Sequence, residues 1–342
     1  MIELRNDGLV FTFPEVHPKA RLRVTFQRTL RIPDDGKDYP LPPGLGEFPL
    51  RHVDDFAERV PDTWLRHGGV MLPMYQAEAM WLSFQSDHLD DHEVAYPFAV
   101  KVATGKIDAV TGESWAEGLR AGPQNYMVVP EQPWLDGYCV ERGFIRQFVA
   151  MPLGAGYSTE EQITGKTEHG GLQIAVYPMR REIFEKRFPK VKPDARVLYQ
   201  MAFVSESVQA CSPDMGLAPG GRMRQEIYED PFALEDWEPG ERGRCFVHLT
   251  NSMVWRGITG KEPPTVPPTS VEYTRVGLPW FDYYGDGSAV SGSQTLNGLK
   301  SVVQTGKEKG DVPLPENEAV APESIVHLRK GLVEGQVREG SF

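Results

Sequence analysis

Three cysteines in 342 residues leave little room for disulfide or metal chemistry. Cys139, Cys211 and Cys245 cannot all pair within one chain, and no C-x-x-C spacing is present to hold zinc or to run thiol exchange. They read as buried free thiols. Long apolar runs are missing as well. No window approaches the roughly 20 apolar residues that cross a bilayer, and Met1–Gly8 carries charges where a signal peptide needs an apolar core. A cytoplasmic protein with no membrane insertion is the expectation. Basic charge is scarce: 36 Lys and Arg against 48 Asp and Glu give a formal charge of −12. That balance repels a phosphate backbone and argues against general nucleic-acid binding. The G-x-S-x-G elbow, the H-E-x-x-H zinc motif, the phosphate loop and the dinucleotide fingerprint are all absent, and no internal repeat of fixed period appears.

What the chain does contain is globular. Hydrophobic residues make up 40% and charged residues 25%, which excludes disorder of the whole chain. The 34 glycines and 29 prolines favour many turns and short strands over long helices. Ile2 and Leu4, the pair Asn6-Asp7 before Gly8, then Leu9, Phe11 and Phe13 spell a hairpin. From Arg21 to Ile32, apolar Leu22, Val24, Phe26, Leu30 and Ile32 share one parity. Arginines, threonines and a glutamine hold the other, the pattern of a half-buried antiparallel strand. Arg28 interrupts the apolar parity, as a bulge or a paired charge would. Five prolines in 33–50 exclude a regular element there. Phe56, Val60 and Trp64 predict a short helix that Pro61 breaks or restarts, and Tyr75–Phe84 holds enough good formers for a second.

Further strands are expected at Tyr96–Val102, Ile107–Val110, Tyr126–Val129, Phe144–Met151, Leu172–Tyr177, Arg196–Val204, Met223–Tyr228, Cys245–Thr250 and Met253–Ile258. Ser114–Glu117 and Ser158–Glu161 have capping-box spacing, and Arg180–Phe188 has helical spacing. Strands joined by short turns, without a helix after each, imply a β-rich α+β fold. The body is expected to be an antiparallel sandwich or barrel with a few short covering helices and a C-terminal aromatic and helical extension. The expected divisions are a body over 1–261, with a subdivision near 190, and a proline-rich spacer or strap over 262–270. An aromatic and helical segment follows over 271–303, with a helix from about Ser293. A polar tail over 304–342 carries Ile325 and Leu328 on a short helix.

Candidate chemistry is sparse and scattered. His88 and His92, four apart with Asp91 between them, would meet on a helix face as ligands for a divalent metal, with His67 as a third. Against that, acidic histidine-bearing stretches are ordinarily solvated loops. Cys139 and His169 both flank glycine turns and make the one plausible nucleophile and base, set against plain packing. Trp280, Phe281, Tyr283 and Tyr284 form an aromatic run that can dock a partner chain, stack a sugar ring or fill the core. The sequence therefore points first to a non-catalytic binding or assembly protein that self-associates, or takes another protein, through its aromatic C-terminal segment. The alternatives are a metal- or thiol-dependent hydrolase-type enzyme acting on a small or saccharide-like substrate, and a carbohydrate-binding protein.

Overall fold

A computed structural model describes residues 1–190, 214–283, 287–311, 319–322 and 324–328. The N-terminal hairpin pairs Ile2–Arg5 with Gly8–Thr12, Leu4 opposite Leu9. Asn6 and Asp7 take φ values of 46° and 52°, the left-handed conformation that a two-residue hairpin turn needs and that Asn and Asp tolerate best. From this hairpin the hydrogen-bonded order runs through Arg21–Thr29, Ala79–Ser86 and Phe144–Pro152 to Asp214–Arg224. Where Met215 faces Leu249 it turns a corner into a second arm. That arm is made of Gly243–Asn251, Leu172–Pro178, Phe98–Thr104 and Met127–Val129. All these pairings are antiparallel. Short strands join parallel to them at Asp38–Tyr39 and Val70–Met74, and a separate parallel pair joins Trp280–Tyr283 to Ile325–Leu328. The β-rich α+β class read from the sequence is what the chain adopts.

Both arms feed one core. Phe11, Leu22 and Phe26 from the first lie in the same buried cluster as Val100, Ile174 and Leu249 from the second, and the ring of Phe13 stands 5.9 Å from that of Phe98. The arms approach closely at Gly243, where a Cβ would stand 2.5 Å from Cδ1 of Phe11, so that position needs glycine. Arg28, the interruption in the strand parity, is a paired charge: its Nε donates to Glu78 Oε1 at 2.8 Å in the interior. The guanidinium also donates to the carbonyl of Thr265, and the Tyr75 hydroxyl donates to that of Pro264 at 2.9 Å. The proline run is thereby tied to the body at two points.

Several local expectations are corrected. The stretch Tyr75–Phe84 is strand from Ala79 onward, because full pairing with Arg21–Thr29 outweighs its helix formers. Met253–Ile258 is helical (Ser252–Thr259): Asn251 caps it by accepting from the Met253 amide at 3.0 Å, and Trp255 and Ile258 turn inward together. Ser114 bridges to Ile107 instead of opening a helix. The strand expected at Met223–Tyr228 instead ends at Arg224. The proline-rich 33–50 stretch contains the short strands Asp38–Tyr39 and Gly44–Glu47, and Ile325–Leu328 is a strand, not a helix. The capping box at Ser158 forms as read, its hydroxyl accepting from the Glu161 amide, and Arg181–Arg187 is a helix. Arg196–Val204 lies outside the described residues. Among the described residues no helix is long and apolar enough to cross a membrane.

Candidate functional site

The pairing of Trp134 with Ser83 and of Leu135 with Leu82 builds the candidate site. Side chains two apart on a strand share a face. Trp134 and Asp136 therefore come to the same side as Ser83 and Trp81, opposite the buried Leu82 and Phe84. The two indoles meet edge to face, centroids 6.5 Å apart at 70°. A third wall comes from the C-terminal segment. Phe281 and Leu41 exchange backbone hydrogen bonds of 2.7 and 2.9 Å, which lays the Trp280–Tyr283 strand against the Leu41–Gly44 loop, and the Tyr283 ring packs on Trp134 at 4.8 Å. The segment is held there by Arg224, whose guanidinium donates to both carboxylate oxygens of Asp282 at 2.9 and 3.1 Å. Gly44 matters to the shape, since a Cβ there would stand 3.3 Å from Cζ2 of Trp81.

The result is a cavity of about 200 Å³ lined by Leu41, Pro42, Pro43, Gly44, Trp81, Trp134, Phe281, Leu328 and one charged residue, Asp136. Asp136 is 3% exposed. Its amide donates to Gln225 Oε1 at 3.0 Å and its Oδ2 accepts from Gln225 Nε2 at 2.7 Å. Its Oδ1 has no hydrogen-bond partner among the described residues. Burial pushes this carboxyl up to about 7, with the Gln225 hydrogen bond pulling weakly the other way. A carboxylate with a spare oxygen, faced by aromatic walls, attracts positive charge and leaves little for a neutral polar ligand to bond.

The residues named from the sequence are placed as follows. Trp280 is wholly buried, between Tyr39 and Tyr273; Phe281 lines the cavity and Tyr283 backs it; Tyr284 lies outside the described residues. Cys139 is buried, with its backbone bonded to Ala109 and Ser293. Burial first, and the Asp108 charge second, push its thiol up to about 12, so it is not a thiolate at neutral pH. No hydrogen bond joins it to His169 among the described residues. His88 is exposed on a two-residue strand that pairs with Val94–Ala95, so the helix face that would align it with His92 does not form. His92 is buried, its Nδ1 at the Phe188 carbonyl. Asp91 pairs with Lys19 and Lys190, both at 2.8 Å, and those hydrogen bonds hold its carboxyl well below the usual range. Among the described residues no three His, Cys, Asp or Glu are grouped to hold a metal ion. Cys211 lies outside the described residues.

The fold does bring His169 to His67, ring centroids 5.8 Å apart. His67 stacks on Phe246 at 4.5 Å, Phe246 on His248 at 4.8 Å, and His248 on Trp64 at 4.6 Å. The loop bearing His169 is pinned by the buried Glu160 carboxylate, which accepts from the amides of Glu168, His169 and Gly170 at 3.0, 2.9 and 2.8 Å. His248 donates through Nε2 to the Gly68 carbonyl at 3.0 Å, and burial pushes its imidazole down to about 4. Its folded pKa lies below the unfolded value of 6.5, so the unfolded chain takes up the proton first as pH falls. Stability contributed here is full above pH 6.5 and is lost as pH drops toward 4, by about 3 kcal/mol. Urea unfolding at pH 7 and pH 4 checks this: relative to His248→Phe, wild type should lose that amount between the two.

Trp81, Trp134 and Asp136 are not among the candidates that the sequence offers: Trp81 falls in the stretch Tyr75–Phe84 expected to be helical, and Asp136 precedes Gly137 as a turn aspartate does. The available signal is a large aromatic on the polar parity of a strand, one residue out of step with the buried Leu82 and Phe84. No protein-family model, no curated protein and no solved structure matches this chain. The functional reading therefore rests on the geometry of the site.

Proposed function

We propose that this is a binding protein for a small methylated-ammonium ligand, held between Trp81, Trp134 and Phe281 with its charge against Asp136. One observation carries the reading: a buried carboxyl with an unengaged oxygen is the single charged group in an otherwise apolar, aromatic cavity. A sugar ring would also stack on these indoles, but its several hydroxyls would face one acceptor. Each buried hydroxyl left without a partner costs about 1–3 kcal/mol. An ammonium carrying methyl groups offers apolar contact all round and a charge that the indole faces favour.

The test is a tryptophan-fluorescence titration at pH 8 with choline and, in parallel, with 3,3-dimethylbutan-1-ol, its neutral isostere. Saturable quenching by choline and none by the alcohol supports the reading. Equal responses to both, or none to either, overturns it, and saturation by a monosaccharide panel alone would favour carbohydrate binding. Trp134→Ala should weaken choline by about tenfold, since a desolvated cation–π contact is worth about 1–2 kcal/mol.

A second reading, self-association through the aromatic C-terminal segment, is favoured by the tail strand Ile325–Leu328 that pairs with Trp280–Tyr283 of that segment. Its Ile325, Val326 and Leu328 are 38%, 39% and 39% exposed. With Trp280 taken up by the chain's own core, this strand is an exposed apolar stretch that can meet a second copy. Sedimentation velocity over a wide concentration range should then show a dimer that Val326→Lys abolishes; a monomer throughout removes this reading.

A further inference from the structure

A second cavity, of about 230 Å³, shares no lining residue with the aromatic one; Lys101, Asp108, Glu113, Glu117 and Arg120 are among those that line it. Lys101 lies on Phe98–Thr104, a strand paired on both sides. Asp108 sits opposite Ala103, two residues along from Lys101, so the pleat brings the amine and the carboxyl to one face. Both side chains are interior: Lys101 is 1% and Asp108 2% exposed. The Lys101 Nζ donates to the carbonyls of Ala116 at 2.6 Å and Gly118 at 3.4 Å. Nζ also lies 4.5 Å from the centre of the Trp115 ring; a neutral amine that gives its two N–H bonds to the carbonyls keeps one lone pair for an electrophile. Asp108 accepts through Oδ1 from the Val110 and Thr111 amides, each at 3.0 Å, and from the Thr111 hydroxyl. Its Oδ2 is buried with no hydrogen-bond partner among the described residues.

The geometry points to a carbonyl-trapping site, in which Lys101 forms an imine with a short neutral aldehyde and Asp108 supplies the proton. The Nζ lone pair attacks the carbonyl carbon, and the oxygen takes up the amine proton to give a carbinolamine. Asp108 Oδ2–H then protonates that hydroxyl, water leaves, and the C=N bond forms; no oxidant or reductant is consumed. Burial favours the neutral form of each group, lowering the lysine pKa against the opposing pull of the Asp108 carboxylate and raising that of Asp108 to about 6, so the acid needed in the second step is supplied by the fraction that is protonated near pH 6. Among the other charges acting on Lys101, Glu117 and Glu113 favour its ammonium form and Arg120 opposes it. Those two carboxylates also disfavour aldehydes carrying a carboxylate of their own. Arg120 is engaged with Glu113, and Glu117 with Arg242 and Arg244.

The test is labelling of the full chain with propionaldehyde and cyanoborohydride at pH 6, where Asp108 is about half protonated, read by peptide mass spectrometry. Lys101 should be alkylated ahead of exposed Lys37, Lys166 and Lys300, and Asp108→Asn should slow its labelling about a hundredfold while leaving those three unchanged. Labelling of the exposed lysines with Lys101 untouched overturns the proposal, as does an unchanged Lys101 rate in a folded Asp108→Asn chain. If that variant does not fold, the order of labelling in wild type decides alone.

Discussion

Asp136→Asn is expected to abolish choline binding and, at the same time, to make the protein more stable above neutral pH. The substitution keeps shape and keeps an acceptor for Gln225 Nε2, but removes the charge that the cavity does not solvate. Taking the charge from one side of a buried cation–carboxylate contact costs about 2–5 kcal/mol of binding, a loss of about thirtyfold to several thousandfold. The stability effect has the opposite sign. The folded pKa of about 7 lies above the ordinary 3.8, so the folded state holds its proton more tightly than the unfolded one. The stability this confers is full below pH 3.8 and is lost as pH rises to about 7, a total of about 4 kcal/mol. Denaturant unfolding of both proteins at pH 4 and pH 8 reads it: wild type should fall behind the Asn variant by that amount across the interval. Parallel curves would mean that Asp136 is hydrated in the folded state. A residue that destabilises the empty protein at working pH, and carries an unengaged oxygen into a cavity, is the expected signature of a site kept for a ligand.

The second large effect concerns the interior pair Arg28–Glu78. Glu78 accepts from Arg28 at 2.8 Å and from the Tyr75 amide at 2.9 Å, and both side chains of the pair are almost wholly buried. Glu78→Ala leaves an uncompensated guanidinium inside and should cost about 3–5 kcal/mol. The double change Arg28→Met with Glu78→Leu should cost much less, because no charge is then stranded. The comparison separates the worth of the pair from the penalty of breaking it. Since Arg28 also reaches the Thr265 carbonyl, limited proteolysis of the 262–270 run should speed up in the Arg28→Met, Glu78→Leu chain and less in Glu78→Ala, which keeps Arg28. An Arg28→Met, Glu78→Leu chain as unstable as Glu78→Ala would show that the charge pair itself, with its tie to Thr265, is what the interior needs.

Legibility in the sequence followed the physics of each stretch. Where one face of a strand is buried and the other wet, as in Arg21–Thr29, period two shows directly, and the hairpin at Asn6-Asp7 is fixed by turn chemistry. In Ala79–Ser86 the alternation is present, with Met80, Leu82 and Phe84 buried between Trp81, Ser83 and Gln85, but Trp81 on the wet parity masks it and Ala, Met and Leu serve both geometries, so its strand pairing is decided by a partner far away in the chain. Met253–Ile258 fails in reverse: β-branched and aromatic residues suggested a strand, but Asn251 caps a helix whose Trp255 and Ile258 face inward. The site was harder still. Phe281 and Tyr283 were visible as an aromatic run, yet Trp81, Trp134 and Asp136 converge only through the pairing of two distant strands. Asp136, beside Gly137, looks like any turn aspartate. Its burial, which gives it its chemistry, is a property of the assembled sheet.

The affinity of wild type for choline, measured by isothermal titration at pH 8 and again at pH 5, tests the central claim most directly. A cation that needs the ionised Asp136 must lose about tenfold per pH unit below about 7, so the dissociation constant should rise about a hundredfold between the two, with proton release accompanying binding near neutrality. An affinity that is the same at both pH values, or that appears unchanged in Asp136→Asn, would contradict it.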